Sequence, residues 1–495
     1  MAIQWTGSSP DVLIPLDRSS GEALRTQLER GLRDAIRWGR LRADERLPST
    51  RELARGLGIS RGMVVDCFDQ LQAEGYLVAR GGSATRVSPS AQRPRREAPT
   101  PAVAPISFPA SQPMPRLIAD FLPAVPDLAS FPRTDWARAT AEICRDAPTA
   151  AFDYGDSRGS QRLREVLASY LSRVRGAAAD SEHVVVCTGF AQGLNLALVC
   201  LAALGVDRVA FEDPGYDETG QIAAGLAGVE LVPVPVDDEG IRVDVLSAAR
   251  VQAVVVSPAH QWPTGVVLSP QRRQALANWA VHTGGWIIED DYDAEFRYDR
   301  DPVGMVQGLI PERVINIGTV SKSLAPTLRL GWLLCPPGLV EEIAELKIRA
   351  DRGSPGLQQL VLARLIESGR FDRHLRRMRK VYAGKRDALV AALDEHAPDV
   401  RLSGLAAGFH AVAQLARGAR EAAVVEAARA HGVGIYGMSA NRSTRSPDPP
   451  QLVLGFGNLS ERAIIDGVTR LAPLLQADLK VGFRPGTGER SPADV

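Results

Sequence analysis

The stretch GTVSKSLAPTLRLGW, residues 318–332, contains the first lysine of a chain of 495 residues. No lysine precedes Lys322, so arginine carries almost all of the positive charge. A lysine amine can lose its proton and react as a nucleophile, whereas a guanidinium stays charged. Small and hydroxylated neighbours around Lys322 therefore indicate a reactive amine, and the alternative is an ordinary surface ion pair.

Short β-rich runs alternate with helical stretches on both sides of this lysine, from about residue 116 onward. The runs end in polar residues and read HVVVCTG, RVAFEDPGY, VELVPVPV, VQAVVVSP, WIIEDDYD, VINIGTVS and LGWLLCP. This alternation predicts an α/β domain built on a mainly parallel sheet. Ligands of such sheets gather at the carboxyl ends of the strands, where the unusual residues of this chain lie.

Two of these strand ends carry groups that suit an anion and a cation. After VVVC, a turn at Gly189 opens a helix whose first amides, through Gln192, would be directed at a phosphate. After WII comes the acidic run EDDYD, residues 289–293, whose carboxylates would repel one another without a nearby cation. A metal ion is one candidate, although no histidine is spaced to help bind it. A protonated heterocyclic nitrogen is the other.

One cofactor, pyridoxal 5'-phosphate, satisfies all of these groups together. Its aldehyde condenses with a neutral lysine amine, its ring nitrogen needs a carboxylate, and its phosphate needs donors. Lys322 supplies the amine, the acidic run supplies the carboxylate, and Thr319, Ser321 and Arg329 supply donors. The sequence therefore predicts a pyridoxal phosphate site and no metal site.

Residues 116–475 resemble a fold-type I aminotransferase. The matching motifs occur in order and are DFLPAVPDLASFP, YGDSRG, TGFAQGL, EDPGYDE, SPAHQWPTG, EDDYDAEFRY and GTVSKSLAPTLRLGW. The resemblance implies that Lys322 is the Schiff-base lysine and that Asp290, rather than the adjacent Asp291, partners the ring nitrogen. It assigns the remaining contacts to Tyr292 at the ring hydroxyl, Tyr216 on the ring face, Thr319, Ser321, Arg329 and the turn of Gly189, Phe190, Ala191 and Gln192 at the phosphate, and Tyr154 at the phosphate of the neighbouring subunit of an obligate dimer.

Three positions depart from the aminotransferase pattern. Trp262 precedes a Pro-Thr-Gly turn where aminotransferases have an asparagine, and with His260 and Gln261 it is a site-lining candidate without an assigned role. The arginine that grips a substrate carboxylate is replaced by Val453 in QLVLGFGNL, and a second arginine of some relatives is replaced by Glu218. We expect the domain to sense a ligand rather than to complete transamination. A working aminotransferase with an accessory module is the first alternative, and a scaffold without cofactor is the second.

The first part of the chain has the pattern of a winged helix-turn-helix. Residues 24–39, LRTQLERGLRDAIRWG, place apolar side chains on one helical face. Ser49 and Glu52 form a capping box that opens a helix through Leu57, Gly58 ends it, and Ser60 caps a second helix to about residue 74. Two short strands around a glycine turn follow as the wing.

Through residue 97 the chain has 16 Arg against 12 Asp and Glu residues, a mildly basic balance. Residues 15–88 resemble the GntR family of bacterial regulators in LPSTRELA, GISRGMV and LQAEGYL. This resemblance predicts binding to a double-stranded DNA operator through Arg46, Ser49, Arg51, Ser60, Arg61, Gly62 and Arg86. The alternative is a protein-interaction module. Ala84 and Arg86 depart from the family's wing.

The whole chain resembles the MocR family of transcription regulators. This implies a winged helix-turn-helix at residues 12–88, a Pro-rich linker at 89–115, an aminotransferase-like domain of transferase fold type I at 116–480, and a tail at 481–495. The predicted function is a homodimeric regulator that senses pyridoxal phosphate or a reactive amine, with control of vitamin B6 synthesis as one expected role.

Composition restricts the remaining classes of protein. Charge is balanced, with 58 Lys and Arg against 58 Asp and Glu residues, and 45% of residues are hydrophobic. No apolar run approaches the roughly 20 residues of a membrane span, and the N-terminus lacks a signal-peptide pattern, so we expect a cytoplasmic protein without a membrane partner. The five cysteines lack metal or disulfide spacing and are predicted to be buried.

Overall fold

The computed structural model describes residues 14–79, 84–91, 117–215, 218–298 and 304–481. The chain divides into two compact units, Met1–Gln112 and Pro113–Val495. Most of the predicted linker, from residue 92 onward, lies outside the described residues, as does the tail from residue 482. No helix of the described residues is long and apolar enough to cross a bilayer.

The described residues of the first unit form three α-helices followed by two strands. They are α1 (Leu24–Arg37), α2 (Thr50–Leu57), α3 (Arg61–Ala73), β1 (Leu77–Val78) and β2 (Arg86–Val87). The two strands pair antiparallel, with Leu77 opposite Val87. Leu28, Leu32 and Ile36 of α1 are fully buried against the other helices, as the apolar face of the sequence predicts.

The ends of α2 and α3 follow the predicted capping residues. Ser49 accepts a hydrogen bond from the Glu52 amide, while the Glu52 carboxylate accepts one from the Ser49 amide. Gly58 ends α2 in the left-handed region with φ of 62°. Ser60 accepts from the Met63 amide at the start of α3. The predicted helix-turn-helix is confirmed.

The second unit alternates helices and strands. Its helices are α4 (Arg133–Asp146), α5 (Gln161–Arg175), α6 (Phe190–Ala203), α7 (Glu218–Ala227), α8 (Val243–Ala248), α9 (Pro270–Thr283), α10 (Val340–Asp351), α11 (Gly356–Glu367), α12 (Arg370–His396), α13 (Glu421–Ala430) and α14 (Glu461–Val481). Its strands are β3 (Ala119–Asp120), β4 (Val184–Cys187), β5 (Arg208–Asp213), β6 (Glu230–Asp237), β7 (Gly240–Ile241), β8 (Ala253–Val256), β9 (Trp286–Asp291), β10 (Val314–Thr319), β11 (Gly331–Leu334), β12 (Leu402–Ser403), β13 (His410–Gln414), β14 (Val433–Gly434), β15 (Tyr436–Gly437) and β16 (Gln451–Gly455).

An eight-stranded sheet in the order β4-β11-β10-β9-β8-β5-β6-β7 forms the centre of this unit. The pairs from β10 through β6 are parallel, whereas β11 is antiparallel to both β10 and β4, and β7 is antiparallel to β6. Val254 and Val255, successive residues of β8, enter different apolar clusters, so both faces are covered. A mainly parallel, doubly covered sheet agrees with the prediction.

A smaller antiparallel sheet, β12-β13-β16-β15, follows in the chain. In it, Val453 of β16 lies opposite Val412 of β13 on one side and Tyr436 of β15 on the other. Val453, the residue that replaces the expected arginine, is therefore at the centre of this sheet.

The prediction that all five cysteines are buried is wrong for Cys144, which is exposed on α4. The buried face of this helix is formed by Ala139 and Ile143. One residue beyond Ile143, a side chain is rotated by about 100° around the helix, away from that face. The buried cysteines are Cys67, Cys187, Cys200 and Cys335.

Candidate functional site

Lys322 lies three residues beyond the carboxyl end of β10. Its Nζ donates a hydrogen bond to the Ala124 carbonyl over 2.6 Å. Burial lowers the pKa of the Lys322 amine, and the charges of Asp290 and Asp293 oppose this shift. A lowered pKa increases the fraction of neutral amine, which is the nucleophilic form.

Two other lysines of the described residues are buried in ion pairs instead. Lys347 lies 2.7 Å from Asp351, and Lys385 lies 2.8 Å from Asp127. Lys380 is exposed on α12. Of these lysines, Lys322 is the one at a strand end beside hydroxyl groups, as the sequence predicts.

The acidic run at the end of β9 separates into residues with different partners. Asp291 forms a buried two-point salt bridge with Arg175, with Nη2 and Nε at 2.8 and 3.2 Å from its oxygens. Glu289 accepts the amides of Val306 and Gln307. Since these groups neutralise or solvate the two carboxylates, no metal is needed to hold them.

Asp290 is the carboxylate of this run that lines a cavity. The cavity is bounded by Phe190, Leu194, Phe211, Glu212, Gly215, Val255, Ser257, Trp262 and Asp290. Asp290 lies opposite Ile317 of β10, and its charge acts on Lys322. With Asp291 bound to Arg175, this geometry supports Asp290 as the partner of a ring nitrogen. The described residues contain no cluster of three metal-ligating side chains.

Gly189 borders a small space lined by hydrogen-bond donors. It precedes α6 with φ of 107°, a conformation that disfavours other residues. A Cβ atom at this position would lie 3.6 Å from Arg329 Nη1 and 3.7 Å from Thr319 Oγ1. Thr319 Oγ1 also lies 2.9 Å from Ser321 Oγ. These donors and the first amides of α6 therefore surround one small space that suits an anion.

The sequence assigned the first residues of α6 to a phosphate as a group, whereas in the structure their side chains have separate contacts. Gln192 accepts the Thr188 amide through Oε1 and donates to Asp351 through Nε2 over 2.7 Å. Phe190 lines the cavity beside Asp290. Ala191 contributes its backbone to the same helical turn. The amides of this turn, rather than the side chains, are therefore the groups that fit a phosphate.

Tyr292 is buried next to His260. Its hydroxyl donates to the His260 carbonyl over 2.9 Å and lies 3.3 Å from His260 Nδ1. His260 Nδ1 in turn lies 2.7 Å from Asp293. With its proton directed at the His260 carbonyl, Tyr292 can accept a hydrogen bond from a ring hydroxyl, and it can donate one only by leaving that carbonyl.

The structure gives less information on the other two predicted tyrosines, Tyr216 and Tyr154. Tyr216 lies outside the described residues, but the segment before it is held at both ends. Asp213 accepts the amide and hydroxyl of Ser443, and the Gly215 amide donates to the Asn441 carbonyl. Tyr154 is 82% exposed, which leaves its ring available to a second subunit.

An apolar cluster occupies the region of the missing arginine. Val453 is fully buried with Val412 and Met438, and Trp262 packs against them. Glu218, at the start of α7, is exposed. The Arg442 guanidinium donates to the carbonyls of Ser446 and Pro449 and to Gln451 Oε1. Arg442 is thus a structural residue of its own loop rather than a replacement for the arginine.

Glu212 is a second carboxyl at the cavity; it is buried, and the sequence pattern did not point to it. It accepts the Ser257 amide over 3.0 Å and lies 3.4 Å from Gln261 Nε2. Burial raises the pKa of Glu212 to about 7. The cavity is therefore bordered by two carboxyl groups and no arginine among the described residues that line it.

In the first unit, most of the predicted DNA-binding residues are exposed at the starts of α2 and α3 and in the loop before α2. The exposed residues of this set are Arg46, Ser49, Arg51, Ser60, Arg61 and Gly62. Arg61 Nε is within 3.4 Å of Thr50 Oγ1. Arg86, on β2, donates to the Asp44 carbonyl over 2.7 Å, so its guanidinium also supports the loop before α2.

Several residues that shape the site have no local signal in the sequence. Arg175 and Asp291 are separated by 116 positions, and His260 and Asp293 by 33. Arg18, which donates to the Gly58 carbonyl at the helix-turn-helix corner, is 40 positions away. A carboxylate-rich strand end does signal that cationic partners are needed, but not which ones.

Two family models match the chain. Bacterial regulatory proteins of the gntR family match residues 24–87, and aminotransferase class I and II matches residues 125–444. A probable rhizopine catabolism regulatory protein of Rhizobium meliloti is 33% identical over 93% of this chain and 95% of its own length. A pyridoxine biosynthesis transcriptional regulator of Corynebacterium glutamicum is 32% identical over 81% of this chain and 85% of its own length.

Among solved structures, a kynurenine aminotransferase of Pyrococcus horikoshii is similar to the chain. Its TM-score is 0.67 at 26% identity, covering 74% of this chain and 92% of that one. The second unit therefore has the fold of a pyridoxal phosphate-dependent aminotransferase.

Proposed function

The chain belongs to the MocR family, in which a gntR-type winged helix is joined to a class I and II aminotransferase domain, and from this we propose that it regulates transcription in response to pyridoxal 5'-phosphate. The single observation that carries this proposal is the convergence at Lys322. A partly buried amine of lowered pKa is subject to the charge of Asp290, and it follows Thr319 and Ser321, whose hydroxyls lie with Arg329 around Gly189.

The residues present fit this cofactor. When bound, pyridoxal phosphate supplies an aldehyde that combines with amines and a ring that withdraws electrons. Lys322 offers the neutral amine, and Asp290 offers the charge that keeps a ring nitrogen protonated. Thr319, Ser321 and Arg329, with the first amides of α6, hold a dianionic phosphate.

The signal is pyridoxal phosphate itself or an amine without a carboxylate. A carboxylate that enters the cavity would lose water without meeting a cation among the described residues that line it, and Trp262 of the lining packs against the apolar side chains of Val453, Val412 and Met438. Glu212 at the cavity adds further repulsion whenever it is ionised. The similar regulator of pyridoxine biosynthesis supports control of vitamin B6 supply as the physiological role.

The working unit in this proposal is a homodimer. Tyr154 is exposed in the single chain, and the resemblance to aminotransferases assigns it to the phosphate of the other subunit. Residues 12–88 would bind the operator and residues 116–480 would bind the effector, joined by the linker at 89–115.

A working aminotransferase is the second candidate, favoured by the similarity to a kynurenine aminotransferase. It predicts conversion of the cofactor to its amine form when an amino acid is added. The sensing proposal predicts that common α-amino acids leave the cofactor spectrum unchanged at micromolar concentration, because no arginine lines the described part of the cavity.

Absorption spectroscopy with borohydride reduction tests the cofactor site. Wild type should gain a band near the visible edge with pyridoxal phosphate and retain a covalent adduct after reduction. Lys322→Ala should lose both, whereas Lys380→Ala, at an exposed lysine, should keep both. An adduct of equal stoichiometry in Lys322→Ala would refute the assignment.

A further inference from the structure

A second cavity lies between the start of α4 and the first turns of α12. Its volume is about 320 Å³, and it is lined by Phe131, Pro132, Arg133, Thr134, Asp135, Arg373, His374 and Arg377. A space of this size accepts a small metabolite. None of these residues belongs to the pyridoxal phosphate site proposed above.

The cavity has an excess of positive charge. Arg133, Arg373 and Arg377 line it, and none of the three forms a salt bridge with a described residue. By contrast, Arg364 and Arg370, at neighbouring positions, both bind Glu142 at 2.7 and 3.0 Å. The arginines of the cavity are therefore available to a ligand.

The start of α4 adds further donors to this cavity. Thr134 and Asp135 occupy the first turn of a 14-residue helix, where amide groups have no acceptor within the helix. Such a terminus favours an anion. Asp135 supplies one negative charge at the rim, and its carboxylate lies 4.0 Å from Arg370.

His374 gives independent evidence for a ligand. This side chain is only 7% exposed and lines the cavity. Its Nε2 lies 2.8 Å from the Ser323 carbonyl, which accepts and therefore fixes the proton on Nε2. Its Nδ1 is buried without a hydrogen-bond partner in the described residues. With the proton on Nε2, Nδ1 is an acceptor, and it is costly to bury unless a donor completes it, such as a water that also donates to a bound anion.

Two contacts link this cavity to Lys322. Through His374, it reaches Ser323, the residue after Lys322. Through Arg377, which donates to the Ser130 carbonyl over 2.7 Å, it reaches the loop that carries Ala124, the acceptor of Lys322 Nζ. Residues of the cavity therefore contact the residue after Lys322 and the segment that follows Ala124.

We propose that this cavity binds a small dianion, carrying either a phosphate group or two carboxylates, and that His374 transmits its occupancy to the Lys322 loop. The site would let the regulator respond to a second metabolite in addition to pyridoxal phosphate.

Calorimetric titration of the full-length protein tests the site, with inorganic phosphate, succinate and uncharged glycerol as probes. Arg329→Gln serves as the background, so that phosphate binding at Gly189 is weakened, and comparison of variants within this background keeps the outcome independent of the pyridoxal phosphate proposal. We expect phosphate or succinate to bind with a stoichiometry of one, and the stronger of the two identifies the class. Glycerol should give no heat.

Arg373→Gln with Arg377→Gln should weaken that binding about tenfold or more, because two charged donors are removed. Arg376→Gln, at an exposed arginine of the same helix that does not line the cavity, should bind as the background does. Absence of binding, or equal binding in the double variant, would overturn the site and would point to an interface with another chain.

Hydrogen exchange tests the transmission. Phosphate or succinate should slow exchange in peptides covering residues 320–325, and His374→Leu should remove this protection while retaining binding. Binding without protection in the background protein would overturn the proposed link to Lys322. Protection that persists in His374→Leu would assign the link to Arg377 instead and would overturn the role of His374.

Discussion

At the scale of single residues, the buried pair of Arg175 and Asp291 determines which carboxylate of the acidic run is left for the site. Both side chains are nearly inaccessible to solvent, at 1% and 7% exposure. A lone charge at such a position is far more costly than the pair itself is favourable.

Arg175→Met should therefore lower the free energy of unfolding by about 3 to 5 kcal/mol, and adding Asp291→Asn should restore part of it. Urea denaturation of the single and double variants measures the effect. Arg145→Met, at an exposed pair with Asp146, should leave the midpoint unchanged. A loss in Arg175→Met no larger than in this control would contradict the account.

Glu212 should make stability depend on pH. Its folded pKa of about 7 exceeds the usual glutamate value of 4.5. Between these values the unfolded chain loses the proton and the folded chain keeps it, so the stability of wild type falls as pH rises. Glu212→Gln removes this penalty. The difference in free energy of unfolding between Glu212→Gln and wild type should therefore grow in favour of the variant by about 2 to 3 kcal/mol from pH 4.5 to pH 8.

Urea denaturation at several pH values measures this gain. Glu230→Gln serves as the control, because Glu230 is exposed on the adjacent strand β6. A difference between Glu212→Gln and wild type that does not vary with pH would refute the raised pKa.

At the scale of elements, α3 presents its first turn to solvent, and Arg61 is exposed there. Arg61→Ala should weaken operator binding by about 1 to 3 kcal/mol if the side chain contacts a base. Fluorescence anisotropy at fixed salt, with a duplex selected from a random pool, measures it. Arg30→Ala is the matched control, because Arg30 lies on α1 and forms an ion pair with Glu22, which precedes that helix. Equal affinity of both variants and wild type would exclude Arg61 from the interface.

The helix ends that the sequence predicts correctly depend on contacts between residues close together in the chain. Ser49 with Glu52, Gly58 and Ser60 determine their helix ends through contacts within a few residues, and these were predictable. The turn at Gly189 follows the same rule. The exposure of Cys144 was not predictable from spacing, because it depends on which face of α4 packs on the rest of the domain.

Contacts between residues far apart in the chain could likewise not be predicted from the sequence. Asp127 is bound by Lys385, 258 positions later, and His374 meets Ser323 across 51 positions. Such pairs arise only when the sheet and α12 are assembled. The sequence therefore predicts the types of group at the site, whereas the assignment of each carboxylate needs the fold.

At the scale of the whole molecule, the chain joins a winged helix to a unit with an aminotransferase fold. For such a protein to act as a sensor, the ligand must bind differently to the forms with high and low operator affinity. Pyridoxal phosphate at Lys322 should therefore change the affinity for DNA.

The most direct test is a titration of operator binding with pyridoxal phosphate, for wild type and Lys322→Ala at one salt concentration. We predict that the cofactor changes the dissociation constant of wild type by about fivefold or more and leaves that of Lys322→Ala unchanged. If pyridoxal phosphate has no effect on wild type, while a plain amino acid shifts both the spectrum and the DNA affinity at micromolar concentration, the account is wrong.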